Sequence, residues 1–275
     1  MMEHSKDPQL QKYLMATAAA AHDLRELCAV ILAAHDLLER QSVSQLSEPA
    51  RKQAGQPLQF IARSVQKMER ISMNLMDVSR CSSGTLQPRW EALCVSDVCS
   101  QLCEEARARL APGQTLRVRL PRQPIVLQTD PYFFDRILLN LLSNAICFCR
   151  QGAITVILKP ADGGAVLVVE DEGPGLPPER LADPFAPEMR GWDGGAKLGL
   201  YICRQLAAGL GGTLTVENMP RQGARFVLRL PEPSLEGVQE LRGTDPALQN
   251  QYRAKRVQAE FSVIPLPDAS PAALS

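Results

Sequence analysis

Two asparagines, Asn140 and Asn144, stand four residues apart in the run NLLSN, inside a stretch otherwise rich in leucine, isoleucine and phenylalanine. On a helix that spacing puts both amides on one face. A lone amide in an apolar helix is ordinarily a satisfied structural residue. Two on one face are harder to explain by packing and could place oxygens on a hydrated magnesium ion. Further on, LVVEDEGPGL (167–176) halts an aliphatic run at Asp171 and turns at Gly173-Pro174-Gly175. A carboxylate fixed at a strand end can accept a hydrogen bond from an exocyclic amine such as that of adenine, and glycines let the backbone close against a planar ligand. Taken alone, that turn is as readily an ordinary one. A third signal, GGAKLGLYICRQL (194–206), runs a glycine-containing loop into a helix, whose free N-terminal amides suit a phosphate. Glycine before a helix is weak by itself.

Near the other end of the chain His22 is followed by Asp23, an imidazole with an acid that could orient it or take its proton. The element that must carry it is a helix. Leu10, Leu14, Thr17, Ala21, Leu24, Cys28, Ile31, His35 and Leu38 recur at alternating steps of four and three, a helical seam. About 30 residues at 1.5 Å each give a rod of roughly 45 Å. His22 lies one position past Ala21 and flanks the stripe, whereas His35 occupies it as a core histidine. A polar stretch with Pro49, Gly55 and Pro57 is expected to interrupt the helical pattern. A second stripe follows at Leu58, Ile61, Val65, Met68, Ile71, Leu75 and Val78. Two such helices make a hairpin with a thin core, so the expectation is dimerisation into a four-helix bundle.

CSSGTLQPRW (81–90) carries turn formers and reads as a linker, giving a first domain over 1–85 and a second over 86–231. The second reads as an α+β arrangement. LCVSDVCSQLCEEARARLA, DPYFFDRILLNLLSNAICFC and LGLYICRQLAAGL have helical periods, and TLRVRLP, PIVLQTD, GAITVILKP, GAVLVVEDE, GTLTVENM and GARFVLRLP read as strands. The expected result is an α/β sandwich with helices on one sheet face. The tail, 232–275, is rich in proline and small residues. It reads as a partly disordered extension, with one short amphipathic helix in DPALQNQYRAKRVQAEF and a surface available to a partner.

Lys+Arg and Asp+Glu both number 30, so no strongly basic surface for nucleic acid is expected. No run approaches the roughly 20 apolar residues of a membrane span, and the N-terminus lacks the pattern of a signal peptide. The reading is a soluble, cytoplasmic protein. The eight cysteines contain no pair of CxxC motifs and read as small reduced hydrophobes.

From Trp90 to Pro231 the order of these motifs resembles the ATP-binding domain of sensor histidine kinases in the GHKL superfamily. The asparagine helix, the Asp-x-Gly-x-Gly turn and the glycine loop correspond to its N, G1 and G2 boxes. AHDLREL, in turn, resembles the phosphoacceptor signature of those kinases, usually within HELRTPL. The resemblance implies a GHKL α/β sandwich behind a dimeric helical hairpin, with ATP and Mg2+ as cofactors. It places ATP on Asn140, Asn144, Phe148, Asp171, Gly173, Gly175, Leu176, Lys197, Gly199 and Leu200, and the metal on Asn140 and Asn144. His22 would be phosphorylated with Asp23 beside it, in a homodimer, and the phosphoryl group passed to the receiver domain of a response regulator. With no recognisable sensor domain, input would come from an upstream sensor protein or another segment.

The chain departs from the family at named positions. Lys197 stands where the G2 box has glycine, and Cys147 where a lysine or arginine precedes the aromatic. LADPFAPEM (181–189) keeps Phe185 but has Ala182 for the other F-box phenylalanine, and the lid up to Gly194 is short. Glu26 and Leu27 replace the threonine and proline after the histidine, so phosphatase activity toward the regulator is expected to be low. A straighter helix is expected as well. Lys197, Cys147 and Ala182 also suit an alternative, a degenerate kinase serving as a phosphotransfer hub or dimeric scaffold. Another GHKL ATPase would leave the helical hairpin unexplained.

Overall fold

The computed structural model describes residues 21, 24–36, 38, 47–186, 196–220, 222–232 and 246–264. His22 and Asp23 lie outside the described residues, as do residues 187–195, which include most of the lid expected between Phe185 and Gly194. The chain divides into two compact units, Met1–Leu86 with Asp193–Gly195, and Gln87–Trp192 with Ala196–Ser275.

In the first unit, helix α1 runs over 24–36 and helix α2 over Glu48–Ser82. They touch where the Ser72 hydroxyl donates to the Ala21 carbonyl and Arg25 Nη2 lies 3.0 Å from Met76 Sδ. Ala21, Cys28, His35 and Val65 are buried, while Ile31, Leu38, Phe60 and Ile61 are exposed. The polar stretch does not interrupt the helix as the sequence suggests, since α2 begins before Pro49 and runs through Pro57. Pro49 sits in the first turn, where its missing N–H has no helical partner to lose. Pro57 forfeits one ladder bond at a cost of about 3 kcal/mol, which the intact turns on either side offset.

The second unit is built on a five-stranded mixed sheet with strand order β2-β4-β5-β7-β6: β2 Gln114–Arg119, β4 Gly152–Ala161, β5 Gly164–Asp171, β6 Thr213–Asn218 and β7 Ala224–Pro231. β2 pairs parallel with β4, and the remaining pairs are antiparallel. A separate two-stranded ribbon joins β1 (Glu91–Cys94) to β3 (Val126–Thr129). The sequence shows no sign of β1, because four residues without alternation carry no strand signal and its partner is remote in the chain. Ala165–Val169 of β5 are buried, as an aliphatic strand flanked by β4 and β7 should be.

Helices α3 (Val95–Arg107), α4 (Pro131–Phe148) and α6 (Ala196–Gly209) form the second layer, against β2, β5 and β6–β7 respectively. The short helix α5 (Pro178–Ala182) follows the β5 turn. α4 starts where it does because Asp130 caps it, Oδ1 accepting from the Phe133 N–H at 3.0 Å with Pro131 in the first turn. Asp130 Oδ2 also accepts from the Arg89 N–H at 2.7 Å, so one carboxylate ties the entry of the domain to the start of its central helix.

The described part of the tail, 246–264, contains the expected amphipathic helix, docked on the domain. Its amphipathic segment is helix α7 (Pro246–Phe261), seated on α4 and α3, with Phe261 and Glu260 both fully buried. Arg253 Nε donates to both oxygens of the buried Asp135 at 3.1 and 3.0 Å, and Arg256 Nη2 donates to the same carboxylate. Burial of that carboxylate is tolerable because two guanidiniums meet it. Among the described residues no helix is long and apolar enough to cross a membrane.

Candidate functional site

At the end of β5 the sheet runs out, and Asp171 turns its carboxylate inward, 5% exposed. Oδ1 accepts from the Gly173 N–H at 2.9 Å. Burial pushes this carboxyl above the ordinary carboxylate range, and backbone N–H groups of Gly173 and Ala224 draw it partly back. Gly175 has φ +74°, and a Cβ there would stand 2.8 Å from Asn218 Oδ1. The turn needs glycine for both reasons.

Asn218, the last residue of β6, closes the turn by a two-way bond with Leu176: the Leu176 N–H donates to Oδ1 at 2.8 Å and Nδ2 donates to the Leu176 carbonyl at 2.8 Å. Nothing in the sequence singles it out except an asparagine at a strand end. The turn is thereby held to a neighbouring strand and not left to its own flexibility.

Asp171, Gly175 and Leu176 face a cavity of about 390 Å³ lined by Asn144, Phe148, Asp171, Gly175, Leu176, Pro177, Arg180, Leu200, Ala224 and Phe226. Its walls are mostly apolar, with the Asp171 carboxylate, the Asn144 amide and the Arg180 side chain as the polar groups. That is the arrangement a heteroaromatic base with an exocyclic amine calls for. Pro177, Arg180, Ala224 and Phe226 are lining residues that sequence reasoning missed; they carry no motif and reach the cavity only through the fold.

Asn144, Phe148, Asp171, Gly175, Leu176 and Leu200 are therefore brought together, and Gly173 supports Asp171 from the turn. Asn140 is not in the cavity wall. It is 2% exposed behind Asn144, its Oδ1 accepting from Asn144 Nδ2 at 3.1 Å. Gly199 packs on it: a Cβ at that position would lie 2.2 Å from Asn140 Nδ2, so glycine here makes room for the amide. Lys197 stands in the first turn of α6, its side chain outside the described residues. Cys147 Sγ lies 3.9 Å from the Val263 carbonyl of the tail, and Phe185 is buried with the Arg204 guanidinium 5.4 Å from its ring centre. All eight cysteines are free thiols. Burial pushes that of Cys103 up to about 12 and that of Cys99 higher still, so neither is poised as a thiolate.

Residues 129–234 match the family described as histidine kinase-, DNA gyrase B-, and HSP90-like ATPase. The chain is 32% identical over 243 residues to the sensor protein KdpD of Escherichia coli K12, covering 86% of this chain and 26% of that protein. It is 30% identical over 225 residues to the alginate biosynthesis sensor protein KinB of Pseudomonas aeruginosa, covering 77% of this chain and 36% of KinB. The chain thus spans only about a quarter to a third of these relatives. Among solved structures it is similar to full-length ShkA crystallised with AMPPNP, with a TM-score of 0.61 at 24% identity over 79% of this chain and 45% of that one. The Acinetobacter baumannii histidine kinase AdeS gives 0.54 at 21% over 78% and 98%. Those two likenesses concern the fold. A matching region that spans the cavity from β3 past β7 gives the second unit a GHKL-type ATP-binding domain, and over most of its length the chain is similar to sensor histidine kinases.

Proposed function

We propose that the chain is an ATP-dependent protein-histidine kinase that phosphorylates His22 within a homodimer and passes the phosphoryl group to an aspartate of a response-regulator receiver domain. The observation that carries the reading is Asp171, a buried carboxylate facing an apolar cavity with Asn144 beside it. Adenine would lie against Leu176, Leu200 and Phe226 with its amine toward Asp171, and the α6 N-terminus would supply amides to phosphate.

Asn144 spends an amide N–H on Asn140, which leaves its carbonyl oxygen as the acceptor. No cluster of three or more His, Cys, Asp or Glu suited to a metal occurs among the described residues. An ion held here would therefore rest on an amide oxygen and on substrate phosphates, as Mg2+ commonly does. Bound there, Mg2+ would neutralise phosphate charge, and the Asn144 oxygen is the ligand offered to it.

In the transfer, an imidazole nitrogen of His22 forms a bond to Pγ as the bond from Pγ to the bridging oxygen breaks. ADP leaves with that electron pair, and Asp23 takes the ring proton. The receiver aspartate then attacks the phosphorus and the P–N bond breaks. Dimerisation is supported by Ile31, Leu38, Phe60 and Ile61, exposed apolar residues on two helices too few to bury them. On this reading the reaction runs in the cytoplasm, where ATP is supplied, with input from an upstream sensor protein or from another segment of the chain.

Incubating the chain with γ-labelled ATP tests the reading, and the label should be lost in acid and retained in base. Absence of MgATP binding by calorimetry would replace the kinase with the scaffold. Glu26, exposed on α1 one turn past His22, bears on the second half of the cycle. A carboxylate cannot donate a hydrogen bond to an attacking water, and its charge opposes an aspartyl phosphate. Glu26→Thr should raise dephosphorylation of purified phosphorylated regulator without abolishing His22 labelling; rapid dephosphorylation by the unaltered chain, with no gain in the variant, would overturn that role.

A further inference from the structure

Behind the cavity a helix from the far end of the chain reaches the asparagine pair. Glu260 of α7 is 0% exposed. Its Oε2 accepts from Arg136 Nη1 at 3.0 Å, and its Oε1 accepts from Asn140 Nδ2 at 3.2 Å and from the Ser143 hydroxyl at 3.0 Å. Asn140 Oδ1 in turn accepts from Asn144 Nδ2 at 3.1 Å. The bonds form one continuous line from Arg136 through Glu260 and Asn140 to Asn144, the amide in the cavity wall.

We propose that Glu260 is a positioning residue of the nucleotide site, an acceptor that sets the direction of both asparagine amides and so presents the Asn144 carbonyl oxygen to the metal–phosphate end of the ligand. The proposal rests on the kinase reading of that site. Its physical basis is the asymmetry of the groups. An asparagine amide can rotate by half a turn and keep its shape while exchanging donor for acceptor. An ionised carboxylate only accepts, so Asn140 must show it the NH2 group. Asn140 Oδ1 is then the atom left facing Asn144, and Asn144 must answer with its own NH2. Neither amide can reverse without setting acceptor against acceptor. A buried carboxylate in an apolar interface is costly unless it is paired, and Arg136 meets that need.

The rest of α7 does not depend on this contact. Asp135 binds Arg253 and Arg256, Arg253 Nη1 donates to Gln101 at 3.1 Å, and Phe261 is fully buried. A change at Glu260 can therefore be made with the helix still docked.

The test compares the full chain with Glu260→Gln and with the double variant Arg136→Met/Glu260→Gln, which leaves no buried guanidinium without its carboxylate. Glutamine keeps the shape but can donate as well as accept, so the amide line loses its direction. Affinity for ATP is measured by calorimetry with Mg2+ and again in excess chelator, and amide hydrogen exchange of α7 reports its docking. The expected result is a loss of about tenfold in affinity for MgATP, as for other groups that orient a metal ligand. Metal-free ATP should bind as it does to the unaltered chain, and α7 should stay protected. Equal weakening with and without Mg2+ would assign Glu260 a purely structural role and overturn the proposal, as would MgATP binding unchanged in both variants. Failure of the unaltered chain to bind either form of ATP would remove the nucleotide site itself, a result distinct from these.

Discussion

His22→Ala should incorporate no acid-labile phosphate from γ-labelled ATP, while the unaltered chain is labelled under the same conditions. The expected loss is complete because a P–N bond needs an imidazole, and the chain has three histidines. His4 precedes the helical seam, and His35 is buried in α1 with Nδ1 3.3 Å from Asp36 Oδ1. Only His22 combines a neighbouring acid with a position beside the stripe. The control is His35→Ala, which should retain labelling and lower the melting temperature, since it opens a void in a thin core. Acid-labile label persisting in His22→Ala would move the acceptor to another residue, and equal loss in both variants would point to a collapsed bundle.

Asp171→Asn should weaken adenine nucleotide binding by about 1–3 kcal/mol, the cost of a charge-assisted hydrogen bond lost in a partly buried site. It should do so without unfolding the domain. Asparagine keeps an oxygen for the Gly173 N–H, and it removes a charge that burial penalises. The sign follows from the raised carboxyl. A group whose folded-state pKa lies above its unfolded value favours the folded state below the ordinary carboxylate range, and that contribution is lost as pH rises through the raised value. Above the raised value the ionised Asp171 thus weighs against folding, and there Asn should leave the ligand-free melting temperature equal or higher. The ionised form is the stronger acceptor for the base amine. Affinity in the unaltered chain should therefore fall as pH drops through the raised pKa, and the variant should lack that step. Calorimetry across pH, paired with thermal melts, reads both effects. Unchanged affinity at neutral pH would mean that Asp171 does not hold the base.

Much of the second unit is legible from local rules. Leucine-rich periodicity around Asn140 and Asn144 marks α4, an aliphatic run ending in Asp171 marks β5, and glycines after it mark a turn. Each of these is a short-range property, decided by 3.6- or 2-residue repeats and by backbone geometry. The α2 start was not legible, because Pro49 and Pro57 argue locally for a break, whereas the helix ladder around them argues for continuity. Strand β1 was hidden for a related reason, since its identity depends on pairing with β3.

The sequence by itself determined the order of the boxes, the spacing of the two amides, the carboxylate at a strand end and the histidine beside a seam. These are covalent neighbours or one-turn neighbours, and chain geometry alone relates them. Only the tertiary structure decided which amide faces the cavity and which stands behind it, that Gly199 exists to admit Asn140, that Asn218 locks the turn, and that Glu260 reaches Asn140 across 120 residues of chain. Contacts at such separation are selected by burial and by the pairing of buried polar groups across the whole domain. No local repeat in the chain encodes that selection.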